Sequence, residues 1–306
     1  MIRYHIDRIE RFDQTIKAII TINPNWPSDL SEIIRTIDPQ APLYCVPVLV
    51  KDNIDVLGMV TTAGSLSLSH NVAKQDAEII RRIRQAGGLI LAKTNLHEFA
   101  IWGETISSVL GQTKNPYDLS RTPGGSSGGT GAALAMDYGL VGLGTDTINS
   151  VRSPASANHL IGLRPTLGKL SSEGIIPYSL TQDTAGPMGR YLADVELLYR
   201  VMADEWGEIS LPPRLKVGVV RSFFGSDPEV LAVMEQVLSK LSSKVELIEL
   251  PVSFDNQYLI DQVSVHLYDL KDHLNHSIWP SLKDHPSRAW LISWPPVDFL
   301  PGSSRI

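Results

Sequence analysis

Three short segments carry residue types that can do chemistry together. In the first, Val46-Pro47-Val48-Leu49-Val50-Lys51-Asp52-Asn53, a lysine closes a strongly apolar run. Burial disfavours an ammonium and lowers its pKa, which is how a lysine becomes a base near neutral pH. In the second, residues 122–131, glycines stand on both sides of Ser126 and Ser127. Glycine admits backbone angles that other residues resist, and it lets a substrate come close to the main chain. In the third, residues 142–155, an apolar run enters a polar turn and Ser150 precedes a predicted helix start. A hydroxyl at such a place lies near backbone N–H groups able to hold an oxyanion.

Each segment also has a plainer reading. Lys51 alone reads as a lysine that snorkels to solvent from a strand end. Ser150 alone reads as a capping serine in a loop. The Gly/Ser segment fails the phosphate-loop pattern, because no Lys-Ser/Thr follows its glycines. It satisfies Gly-x-Ser-x-Gly literally, yet no strand precedes Gly124 as a nucleophile elbow requires. A flexible linker is disfavoured by the apolar helix that follows at once.

Taken jointly, the segments resemble the amidase signature family. The Gly/Ser segment and Asp146-Thr147-Ile148-Asn149-Ser150-Val151-Arg152-Ser153-Pro154-Ala155 are both present, with the Val-Lys-Asp-Asn element upstream. Further pieces of the pattern are Thr61-Thr62-Ala63-Gly64-Ser65, Ala92-Lys93-Thr94-Asn95, Asn115-Pro116, Gly162-Leu163-Arg164-Pro165-Thr166 and Gln182-Asp183-Thr184-Ala185-Gly186-Pro187. The resemblance is dense over residues 42–204 and continues weakly to a helix near 268–275.

The resemblance implies an α/β amidase-signature fold: a mixed, mainly parallel central sheet flanked by helices, here C-terminally shortened. It implies Ser150 as nucleophile, Ser126 as a bridging serine held by a cis peptide bond, and Lys51 as base. The N–H groups of Thr147, Ile148, Asn149 and Ser150 would form the oxyanion hole, with Ser127, Asp146 and Arg152 orienting the loop. No metal or cofactor is required, and none of the eight histidines sits in a triad-like motif. His97 and His159 are read as packing or pocket-lining residues.

The expected activity is hydrolysis of a small carboxamide to a carboxylic acid and ammonia or an amine, through an acyl-enzyme on Ser150. Two alternatives stand beside it. One is a glutaminase-type subunit of a glutamine-dependent amidotransferase; the other is a catalytically inactive, truncated scaffold with a binding role.

The sequence departs from the family twice. Ile148-Asn149 occupies positions where the family usually has Gly-Gly, which is read as a change of specificity. The chain is also shorter than is usual. A shortened sheet exposes edges and apolar surface unless something covers them. The expectation is therefore self-association as a homodimer, or a more open pocket.

The elements that must position these residues are legible from periodicity. Ile6, Ile9, Phe12, Ile16 and Ile19 form one apolar helical face, and a short helix is predicted over 30–37. Residues 44–50 read as a buried strand containing Cys45, taken as a small buried hydrophobe. Ile79, Ile80 and Ile83 mark a helix over 76–86, stopped by Gly87-Gly88 and followed by a strand over 89–92. Residues 103–129 read mostly as loop, 132–136 as a helix start and 140–143 as a strand. A further helix carries Leu192, Val195, Leu198 and Met202.

A βαβ unit follows: a strand over 215–220, a helix and a strand over 245–250. Its helix opens with a capping box from Ser226 to Glu229. Its predicted core face is Val230, Val233, Met234, Val237, Leu238 and Leu241. The chain is read as one domain over 1–306, comprising a helical segment 1–40, a catalytic core 41–275 and an irregular tail 276–306.

Composition fits this reading. The 306 residues are 43% hydrophobic and 20% charged, with a formal net charge of −6. No Lys/Arg block suggests nucleic acid or an anionic membrane as partner, so a small-molecule amide is the expected ligand. A single cysteine excludes an intramolecular disulfide and a cysteine-based zinc site. Residues 1–20 lack the apolar core of a signal peptide, and no run approaches a membrane span, so a cytoplasmic protein is expected.

Overall fold

Strand β2 (Pro47–Lys51) is buried at every position and lies in the middle of a six-stranded sheet. The computed structural model describes residues 1–207, 210, 212, 214–253, 258–259 and 264–273. Around β2 the sheet has the order β1-β3-β2-β6-β8-β7, with β1 at Ile19–Ile22, β3 at Leu89–Thr94, β6 at Val141–Asp146, β7 at Ile161–Gly162 and β8 at Thr184–Gly189. The β2/β3 and β2/β6 pairings are parallel. The β1/β3, β6/β8 and β7/β8 pairings are antiparallel. The sheet is therefore mixed, with parallel pairing confined to its three central strands.

The period-2 alternation of a strand decides which layer each β2 residue feeds. Val48 and Val50 pack with Ile79, Ile80 and Ile83 of α3 (Glu78–Gln85) and with Leu198 and Met202 of α6 (Leu192–Ala203). Leu49 packs on the other face with Ala132, Ala133 and Leu134 of α4 (Gly128–Ala135). Ile9 and Ile16 of α1 (Ile2–Ile16) and Ala155 of α5 (Arg152–Ala157) belong to the same cluster. Alternation thus carries Lys51 to the α4 side. The Gly/Ala composition of α4 permits its close approach: a Cβ at Gly129 would lie 2.1 Å from the Asn95 carbonyl oxygen.

Element boundaries move for local reasons. The first helix stops at Ile16 because Lys17 turns left-handed (φ 59°) and Asp13 Oδ1 and Oδ2 accept the N–H groups of Ala18 and Ile19. Ile19, expected on the helix face, instead opens β1. The second helix, α2, begins early, at Trp26–Thr36, with Pro27 in its first turn. Cys45 is half-buried at φ 59° in the turn before β2, which delays that strand to Pro47. Short strands β4 (Ile106–Ser107) and β5 (Gly111–Gln112) pair within the expected loop.

The chain divides into two compact units: Met1–Glu205 with the helix α8 (His266–His273), and Trp206–Val265. The second unit holds parallel strands β9 (Lys216–Val219) and β10 (Glu246–Glu249) with helix α7 (Pro228–Leu241), the expected βαβ order. The α7 cap is Asp227, which accepts N–H groups from Glu229 and Val230, so the predicted Ser226 capping box does not form. None of the α7 residues expected to face a core is buried, and Val230, Val233 and Val237 are exposed. The tail 276–306 lies outside the described residues.

Candidate active site

Lys51 leaves the carboxyl end of β2 with its side chain fully buried. Its Nζ lies 2.7 Å from Ser126 Oγ, 2.8 Å from Thr145 Oγ1 and 3.4 Å from the Thr145 carbonyl. Burial pulls its pKa from 10.5 down to about 7, although the charges of Asp183 and Asp146 favour the ammonium. Near neutral pH a large fraction of Lys51 is therefore an uncharged amine. Asn53 Nδ2 donates to Thr145 Oγ1 at 3.1 Å and to the Ile176 carbonyl at 3.1 Å, fixing the hydroxyl that Lys51 meets.

Ser126 follows a cis Gly125–Ser126 peptide bond just before α4. Its carbonyl accepts the His97 N–H at 3.0 Å. The next peptide N–H, of Ser127, donates to the Ser150 carbonyl at 3.2 Å and joins the second segment to the third. Ser127 Oγ donates to the Thr145 carbonyl at 3.2 Å. A Cβ at Gly144 would lie 2.7 Å from that hydroxyl oxygen, so β6 and the Gly/Ser segment meet only through glycine.

Ser150 is buried in the turn between β6 and α5. No described hydrogen bond joins its hydroxyl to Ser126; such contacts are often long in unliganded sites. Among the described hydrogen bonds, none is donated by the N–H groups of Thr147, Ile148, Asn149 or Ser150. These donors are available to an anionic oxygen. The Ile148 side chain is exposed beside them.

The turn is held from below by Asp146. Its Oδ2 accepts Val151 N–H at 3.0 Å and Arg152 Nε at 3.2 Å, and its Oδ1 accepts Arg164 Nη1 at 3.1 Å. Burial alone would raise its pKa, but these donors hold the carboxyl below its ordinary range. Asp183 holds the turn from the side, accepting Thr147 Oγ1 at 2.5 Å. Its own pKa is raised by burial, against the pull of Thr147, the Ser179 and Tyr178 N–H groups and Lys51.

The structure thus brings Lys51, Ser126, Ser127, Asp146 and Arg152 into one cluster, with the 147–150 turn joined to it. Thr145, Asn53, Arg164 and Asp183 complete the cluster without having been assigned roles from sequence. Their signal was available, since each lies in or beside one of the recognised motifs. His97 lines the cluster: its Nδ1 is buried without a described partner, and burial depresses its pKa. Beside Thr145 and Asp183 lies a cavity of about 10 Å³, room for no more than a single water, lined also by Ile175, Pro177, Leu180 and Ala185.

A buried lysine on a serine hydroxyl, at the carboxyl ends of two adjacent parallel strands, defines a serine–lysine site on an α/β sheet. The chain belongs to the amidase family, whose model matches residues 1–278. It is 36% identical over 262 residues to the A subunit of glutamyl-tRNA(Gln) amidotransferase of Sulfurisphaera tokodaii, covering 79% of this chain and 54% of that protein. The chain therefore spans about half the length of the curated relatives it matches. Its structure is similar to that of the peptide amidase from Stenotrophomonas maltophilia, with TM-score 0.81 and 29% identity, over 93% of this chain and 64% of that one. It is similar too to the amidotransferase A subunit from Thermotoga maritima, with TM-score 0.73 and 25% identity, over 96% of this chain and 69% of that one.

Proposed function

We propose that the protein is an amidohydrolase that cleaves a small carboxamide through an acyl-enzyme on Ser150. The observation that carries this reading is the buried Lys51 amine, 2.7 Å from Ser126 Oγ, with a pKa brought to about 7. Neutral Lys51 accepts the Ser126 proton while Ser126 accepts that of Ser150. The Ser150 oxygen attacks the amide carbonyl carbon, and the oxyanion forms against the 147–150 N–H groups. The relay then runs backwards: the C–N bond breaks and the leaving nitrogen takes the proton. Water then loses a proton by the same route as its oxygen bonds to the acyl carbon; the bond from that carbon to Ser150 Oγ breaks, Ser150 takes the proton back, and the carboxylic acid leaves.

The test needs no substrate. Intact-mass analysis after exposure to a broad fluorophosphonate should show one adduct on the wild type and none on Ser150→Ala. A folded wild type that takes no adduct would overturn the reading.

A second reading is favoured by the sequence relatives, which are A subunits of glutamyl-tRNA(Gln) amidotransferases. In it the same residues hydrolyse glutamine to supply ammonia to a partner protein. Glutaminase activity that appears only on adding such a partner would select it.

A further inference from the structure

Helix α8 is the last described element of the chain, far in sequence from the site, yet it grips the segment that holds Thr147. Asp269 Oδ2 accepts Ser179 Oγ at 2.5 Å and Thr181 Oγ1 at 2.5 Å. One turn further on, His273 Nδ1 accepts the Leu180 N–H at 3.1 Å. His266, at the start of the helix, stands edge-on to the buried Tyr178 ring with centroids 5.3 Å apart. Three consecutive residues, Ser179, Leu180 and Thr181, are thus each tied to α8.

That segment is a tight loop closed on itself. The Gln182 and Asp183 N–H groups donate to the Ser179 carbonyl at 3.0 and 2.7 Å. Asp183 Oδ2 accepts the Tyr178 and Ser179 N–H groups at 2.7 and 2.9 Å. Its other oxygen, Oδ1, takes the Thr147 hydroxyl. Motion of the loop therefore moves the carboxylate on which the 147–150 turn is hung.

We propose that Asp269 is a positioning residue, which holds the Thr147–Ser150 turn in register through the 178–183 loop and Asp183. The inference rests on the reading of that turn as the oxyanion site. A single carboxylate oxygen shared by two hydroxyls fixes the loop in two directions, whereas an apolar contact would let it slide. Asp183 then presents one geometry to Thr147, and the turn's N–H groups stay convergent.

Hydrogen exchange of the full chain tests the mechanical part without any chemistry. Asp269→Ala should speed exchange about tenfold in peptides covering 147–153, where the Val151 and Ser153 N–H groups are hydrogen-bonded, and 178–183, with β2 unchanged; Asp269→Asn, which keeps one acceptor oxygen, should stay near wild type. Faster exchange in 178–183 alone, or in neither segment, would overturn the proposal. If Asp269→Ala does not fold, Thr181→Val removes one hydroxyl of the same clamp and is read identically.

Fluorophosphonate labelling rates test the link to the reaction. Asp269→Ala and Thr147→Val should each slow labelling about tenfold, and the double variant little further. Additive slowing would show that Asp269 does not act through Thr147. A wild type that never labels defeats the hydrolase reading, while the exchange result still decides whether α8 holds the turn.

Discussion

The role proposed for Lys51 depends on a charge that its burial makes costly. Its ordinary pKa of 10.5 falls to about 7 because burial penalises the charge. Under the proposed mechanism the rate should rise with pH through about 7 and level off above it, as the amine loses its proton. A pH profile of kcat/KM or of labelling rate checks this. The stability consequence has a definite sign. Between pH 7 and 10.5 the unfolded chain binds a proton that the folded chain does not, so this group makes stability rise with pH across that window. Below pH 7 its full cost remains, roughly 5 kcal/mol for a shift from 10.5 to about 7. Lys51→Met should therefore be inactive and melt several degrees higher at pH 6, with the gain shrinking toward pH 10. Calorimetry at the two pH values reads it, and a variant that melts lower at pH 6 would contradict the assigned burial cost. Lys51, Ser126 and Ser150 could be nominated from the sequence because motif spacing survives without a structure, and folding brings Lys51 onto Ser126. Asp183 had no role assigned from it, since its hydrogen bond to Thr147 joins parts of the chain that only folding brings together.

Among the helices and strands, glycine is what lets α4 lie against the sheet. Gly129 faces the Asn95 backbone, and a Cβ there would meet atoms at 2.1 to 2.7 Å, all of them main chain. Gly129→Ala should cost about 3 kcal/mol, whereas Gly103→Ala, which meets nothing within 4 Å, should stay within about 0.5 kcal/mol. Urea denaturation of the pair separates close packing from a general dislike of losing glycine. Hydrophobic periodicity located α3, α6 and β2 because each has a clear apolar pattern. It overran the end of α1, because Ile19 continues the helical spacing while Asp13 and Lys17 turn the backbone away. It missed the early start of α4, because a run of glycines carries no pattern at all.

Across the chain as a body, the two units differ in how much they bury. Among the described residues of Trp206–Val265 the buried hydrophobics are Val219 and Val245, and α7 buries none of its side chains. The α7 periodicity was legible, but periodicity reports which face is apolar and not what covers it. Backbone amides of α7 should therefore exchange well before those of β2, β3 and β6, measured by hydrogen exchange at neutral pH. Equal protection in α7 would show that its apolar face is covered in solution.

The parallel pairing of β2 with β6 has one more consequence. Lys51 and the 147–150 turn both emerge from strands whose ladder lies at the centre of the sheet. The two ends of the proposed proton relay are thus set by the same backbone that keeps the core together. The placement of Lys51 therefore lasts as long as the sheet lasts, whereas the 147–150 turn, held also through Asp183, can loosen first, so heating should dull each molecule before the core is lost.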